Sequence, residues 1–119
     1  MASETITAPG DLKINVDHGD DSACVRLVGR LSIDSSPALR DCLLGMLQGE
    51  GEPPKVLLID MTETPYIDLS GIATLIEAQK IARMRKTTLR LKGLHDYLLH
   101  FLEVTGLLPM FEDSVSKVI

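Results

Sequence analysis

A chain of 119 residues has room for one domain with one hydrophobic core and little else. An apolar share of 45% beside 24% charged residues excludes a disordered tail, and a net charge of -5 gives no electrostatic help toward nucleic acid or an anionic membrane. Aromatic residues make up only 3%, which leaves no base-stacking or sugar-stacking surface and hands the core to aliphatic side chains.

The chain begins MASETITAPGDLK, without the basic-then-apolar order of a secretion signal. Residues 1–10 read as a flexible arm ending in Pro9-Gly10, and 11–119 as a single domain. Leu12, Ile14 and Val16 alternate, which predicts a strand over 11–17. The polar turn His18-Gly19-Asp20-Asp21 then leads into a second strand over 22–30, so the pair predicts a hairpin. Ser36 fits an N-cap and Pro37 the first helical position. Leu39, Cys42, Leu43, Met46 and Leu47 follow as one helical stripe, closed by Gly49-Glu50-Gly51 and Pro53-Pro54.

Residues 55–60 (KVLLID) form a continuous aliphatic run, as in an interior parallel strand. A connection is expected over 61–67, then a helix from about 70 to 85 with Ile72, Ala73, Leu75, Ile76 and Ile81 on its apolar positions. TTLRLK (87–92) alternates as another strand. A third helix over 94–105 turns Leu98, Phe101 and Leu102 inward, and Gly106 fits the position just past its end. The tail is expected to return to the sheet edge with a last short helix. The fold class is therefore α/β: a mixed sheet of four to five strands with three to four helices on one face or both.

Catalytic and metal-binding patterns are missing. His95 and His100 are five apart, not the i, i+4 spacing of a metal-binding helix face, and there is neither a P-loop nor a GxGxxG motif. Asp60, Glu63 and Asp68 lack a basic or nucleophilic companion. Cys24 and Cys42 show no CxxC spacing and read as reduced core residues of a cytoplasmic protein. Arg83, Arg85 and Lys86 read as a solvated helix end. No cofactor, no metal, no nucleic acid and no membrane insertion are expected; a protein partner is.

One segment stands apart. Pro65-Tyr66-Ile67-Asp68-Leu69-Ser70-Gly71 follows a buried strand and opens a helix. A loop at the carboxyl end of an interior strand is where open α/β sheets place function. A helix start also offers free N–H groups, which suit an anion. The plainer alternative is that Asp68 or Ser70 caps the helix and Gly71 lets it approach the sheet.

Over residues 11–118 the chain resembles the STAS domain family, which includes bacterial anti-sigma factor antagonists and cytosolic domains of sulfate transporters. The resemblance rests on VRLVGRLSIDSSPALRDCL, KVLLIDMTETPYIDLSGIATLIEAQKIAR and LRLKGLHDYLLHFLEVTGLLPMF. Within these stand Gly29 and Asp34, Asp60, the Asp68–Gly71 run, and Gly106-Leu107 before Phe111.

The resemblance implies a bacterial, cytoplasmic, non-catalytic regulator in a partner-switching pathway. Its partner would be an anti-sigma factor or related serine-kinase-like protein; a homodimer is compatible with this reading. Asp34, Asp68, Leu69, Ser70 and Gly71 become the partner-binding positions. In the antagonist branch the hydroxyl residue after the aspartate is phosphorylated, which ends binding. Leu69 stands at that position and has no hydroxyl. An exposed Leu69 would contact a partner; a buried one would anchor the helix start. Ser70 and Thr74 are the substitute phosphorylation candidates, Ser70 being nearer the helix start. Asp68 is expected to matter more for binding than for folding. The alternatives are a stand-alone component of a transporter, lipid-transport or signalling assembly, and, ranked lower, a nucleotide-binding switch.

Overall fold

The hairpin predicted for the first two alternating segments is present, and a further strand lies beside it. The computed structural model describes residues 2–111 and the backbone of 115–116. Strand β1 (Ala2–Ala8) pairs antiparallel with β2 (Leu12–His18), from Ala2↔His18 to Ala8↔Leu12. The flexible arm expected over 1–10 is therefore corrected to an edge strand at 2–8. Pro9-Gly10 does not end an arm but belongs to the turn that reverses the chain. Gly10 and Asp11 both take positive φ there (80° and 64°). Ala8 is buried and Ile6 packs against the core, while the Thr5 hydroxyl donates to Asn15 Oδ1 at 3.0 Å. β-branched Thr5, Ile6 and Thr7 suit this pleated edge.

Strand β2 pairs antiparallel with β3 (Ser22–Leu31). Helix α1 (Ser36–Gln48) crosses to β4 (Val56–Ile67), which runs parallel to β3. Helix α2 (Leu69–Met84) crosses to β5 (Thr88–Lys92), parallel to β4. Helix α3 (Asp96–Val104) and the one-turn α4 (Leu108–Phe111) precede β6 (Val115–Ser116), which joins β5. The sheet order is β1-β2-β3-β4-β5-β6. The expected mixed α/β sheet thus gains one strand, at its N-terminal edge. The tail returns to the opposite edge, with its short helix before the strand.

The connection expected over 61–67 is instead the second half of β4. Between Arg26↔Asp60 and Val28↔Glu63, and again to Arg30↔Tyr66, β4 advances one residue more than β3. These two bulges break the period-two pattern, so the segment does not read as a strand. Thr64 marks the irregularity: it is buried, and its hydroxyl donates to the Leu27 carbonyl at 2.8 Å.

The core lies on one face of the sheet. Val25 and Leu27, Leu57 and Ile59, and Leu89 and Leu91 point to it from β3, β4 and β5. Leu39, Leu43 and Leu47 of α1 and Ile72, Leu75, Ala78 and Ala82 of α2 close it. The stripe predicted for α1 holds, with the cap one residue earlier, at Ser35 rather than Ser36. Ala73, expected on the apolar side of α2, is exposed. The other face of the sheet has no helix over it among the described residues. Cys24 sits there half-buried, not in the core; Cys42 is half-buried against the core. Both are free thiols, and burial, with a smaller contribution from Glu4, pushes Cys42 up to about 11. Arg83 and Arg85 are not merely solvated: they donate to the carbonyls of Met110 (2.8 Å) and Leu47 (2.9 Å).

Candidate functional site

Strands β3 and β4 end side by side, and the segment singled out in the sequence emerges there. Leu31 and Ile67 are register partners and are buried. Two residues further along each chain, Ile33 is 69% exposed and Leu69 70% exposed. The sheet ends between these pairs, so the second pair projects past the core into solvent.

Asp68 holds the junction together. It is the N-cap of α2, with extended backbone, and its own N–H donates to the Leu31 carbonyl at 3.1 Å. Its Oδ1 accepts from the N–H groups of Ser70 (2.9 Å) and Gly71 (3.2 Å). Its Oδ2 accepts from the Ile33 N–H at 3.0 Å. One carboxylate therefore caps a helix and pins the loop between β3 and α1. Of the two capping alternatives, Asp68 is the one realised. Three of these four bonds run through the carboxylate, so replacing the side chain loosens both the helix start and the loop that carries Ile33.

Gly71 is needed for a different reason. A Cβ there would lie 2.7 Å from Leu31 Cγ and 2.8 Å from Ile67 Cγ1. The first turn of α2 is thus seated directly on the last buried pair of the two strands. Ser70 is half-buried, and its carbonyl accepts from the Thr74 hydroxyl at 3.0 Å. Thr74 is buried one turn into the helix, its hydroxyl already engaged with backbone.

The loop carrying Ile33 is fixed from within. The Ser35 hydroxyl donates to the Arg30 carbonyl (2.8 Å) and accepts from the Ser32 N–H (2.9 Å). The Asp34 N–H donates to Ser32 Oγ at 3.3 Å, leaving its exposed carboxylate beside Ile33. On the adjacent strand residues the Arg30 guanidinium lies 4.0 Å from the Tyr66 ring centroid, a cation–π contact with the ring 41% exposed as a residue.

The fold thus brings Asp34, Asp68, Leu69, Ser70 and Gly71 to one end of the sheet and sets Thr74 beneath the surface. Reading the sequence missed Ile33 and the Arg30–Tyr66 pair. Ile33 had a weak signal, an aliphatic residue isolated between Ser32 and Asp34; the ring contact had none, because it depends on the register of two strands. What the arrangement offers chemically is contact: two rigidly mounted aliphatic side chains, an acidic edge and an aromatic–cation edge.

Against known proteins, the chain matches the family model described as "Mlab, STAS domain" over residues 14–110. It is 33% identical over 98 residues to an anti-sigma-B factor antagonist of Listeria monocytogenes, covering 82% of this chain and 80% of that protein. A solved anti-sigma factor antagonist from Mycobacterium paratuberculosis superposes with a TM-score of 0.76 at 17% identity, covering 96% of this chain and 92% of that one. A sulfate transporter family protein from Wolinella succinogenes gives a TM-score of 0.67 at 28% identity, over 83% and 79%.

Proposed function

The chain belongs to the STAS domain family, and from that premise we propose that it is a non-catalytic regulator that binds an anti-sigma factor through the start of α2. The observation that carries this reading is Leu69, an aliphatic side chain 70% exposed at the first position of a capped helix. A residue so placed contributes nothing to the core, whereas a partner covering it gains roughly 1.5–3 kcal/mol from burying a leucine. Ile33 and Asp34 on the neighbouring loop extend the contact, and Asp68 and Gly71 hold it in shape. The Listeria relative is named an anti-sigma-B factor antagonist, which supports an anti-sigma factor as the class of partner; that this partner is serine-kinase-like is part of the proposal.

Control by phosphorylation at position 69 is absent in this proposal. A phosphate would bring about -1.5 to -2 charges to the contact surface and break it; leucine cannot accept one. Ser70 is the remaining candidate acceptor at the helix start, and Thr74 the weaker, since its hydroxyl is buried and bonded.

The test is titration of the candidate anti-sigma factor against the wild-type chain, followed by incubation with that partner and ATP and intact-mass measurement. Binding without mass gain is expected for the wild type, and a gain of one phosphate for Leu69→Ser. A stoichiometric phosphate on wild-type Ser70 would contradict the silent-switch part; no binding to any cognate anti-sigma factor would contradict the whole.

A second reading has its own support. The likeness to a sulfate transporter family protein at 28% identity favours a STAS component of a transport assembly. In that case the same exposed end would meet a permease component instead, and the titration with anti-sigma factor would show no heat.

A further inference from the structure

The sheet face that no helix covers among the described residues carries a charge pattern that the α2 site does not use. The register places Asp17 beside Cys24, Cys24 beside Leu58, and Leu58 beside Arg90 in one row across β2, β3, β4 and β5. The next row reads Asn15, Arg26, Asp60, Lys92. Alternation along each strand turns these residues away from the buried Val16, Val25, Ile59 and Leu91. Cys24 and Leu58 are half-buried at the middle of the first row. In the second, Asp60 is anchored by the Thr62 hydroxyl (2.6 Å) and N–H (2.9 Å), so its carboxylate is held in place.

Both rows are complementary to their own reversal. Consider two such faces stacked about a twofold axis that lies between them, parallel to the strands and midway between β3 and β4. Asp17 then faces Arg90 of the second copy, Cys24 faces Leu58, Arg26 faces Asp60, and Asn15 faces Lys92. Within these two rows every charge meets an opposite or a neutral group, with Arg26 turning from or sharing its exposed ion pair with Glu63 of its own chain (3.3 Å), and the apolar pair meets itself. A twofold axis across the strands fails this check, because it sets Arg90 over Lys92. Aligned stacking of twisted sheets, within about 30° and about 10 Å apart, is an ordinary packing mode, and an isologous contact of this kind closes at two copies.

We propose that this open face binds a second copy of the chain, forming a twofold dimer that leaves the Ile33–Leu69 end accessible. Four strands about 4.8 Å apart, a few residues deep, offer only a few hundred Å² per copy, below the size of stable specific interfaces and in the range of weak, transient ones. The dimer is accordingly weak and concentration-dependent.

Sedimentation equilibrium on the full chain tests this, with a thermal melt to check that each variant folds. The wild type is expected to rise from monomer to dimer mass as concentration increases toward the millimolar range. Arg26→Glu, which sets like charges against each other, is expected to hold the chain at monomer mass. Adding Asp60→Arg to Arg26→Glu is expected to restore the dimer. If Asp60→Arg unfolds through loss of its Thr62 bonds, Cys24→Lys replaces it: this charge faces solvent in the monomer and Leu58 in the dimer, so it too is expected to give a monomer. A wild type that stays monomeric at the highest concentration overturns the proposal. So does a dimer that Arg26→Glu and Cys24→Lys leave intact, as pairing through the β1 edge would be. A folded charge-swapped double variant that remains monomeric counts equally against it. Since this face is separate from α2, the monomeric variants are expected to bind the anti-sigma factor as the wild type does, which separates failure here from failure of the proposed function.

Discussion

Leu31 and Ile67 sit opposite each other at the ends of β3 and β4 and are buried; Ile33 and Leu69, two residues on in sequence and past the ends of these strands, are among the most exposed aliphatic side chains described. The residue types are alike, and a single residue separates the members of each stretch, Ser32 on one side and Asp68 on the other. The inner pair lies where α2 sits down on the sheet, and the outer pair lies where nothing does. Hydrophobic burial in the monomer accounts for the first pair and cannot account for the second. The proposed function assigns the outer pair to a partner surface.

Substitutions can break or sharpen this contrast. The largest loss is expected from Leu31→Ala, which opens a cavity under Gly71 and Ile67; about 2–5 kcal/mol of unfolding free energy should disappear in a denaturant melt. Gly71→Ala comes next, because its Cβ meets both members of the inner pair; about 1–3 kcal/mol is expected from overpacking, read in the same way. Asp68→Ala removes the cap and the tie to Ile33, with about 1–2 kcal/mol expected and Asp68→Asn recovering part of it. Leu69→Ser should change stability by less than about 0.5 kcal/mol, as exposed side chains that neither pack nor take part in a cap bond do. If Leu69→Ser cost as much as Leu31→Ala, the outer pair would belong to the core after all, and the contrast would vanish.

The sequence made the inner half of this picture legible and left the outer half open. Alternation in β2 and β3 and the stripe on α1 report burial directly, because a strand or helix with one covered face must show its period. Asp68 was visible as a cap candidate through its place before a helix, and Gly71 as a close-approach candidate. The second half of β4 was not legible: two bulges against β3 erase the period that identifies a strand. Nor was β1, whose Thr-Ile-Thr core is too short and too polar to stand out beside Pro9-Gly10. Whether Leu69 was anchor or contact could not be decided from its neighbours, since both answers fit the residues 68–71. The answer depends on where the sheet stops, and that is a property of β3 and β4 together. Ile33 is joined to this site by a single hydrogen bond to Asp68 across 35 positions of sequence, which no local pattern encodes.

The most direct measurement is calorimetric titration of the candidate anti-sigma factor with wild type and with Leu69→Asp, alongside melts of both. Aspartate at this position removes the apolar contact and adds charge beside the cap while leaving the core untouched. The predicted result is an unchanged melting transition with binding weakened by at least about tenfold, or about 1.4 kcal/mol. Equal affinity of the two proteins for the partner would contradict the claim that the start of α2 is the binding surface.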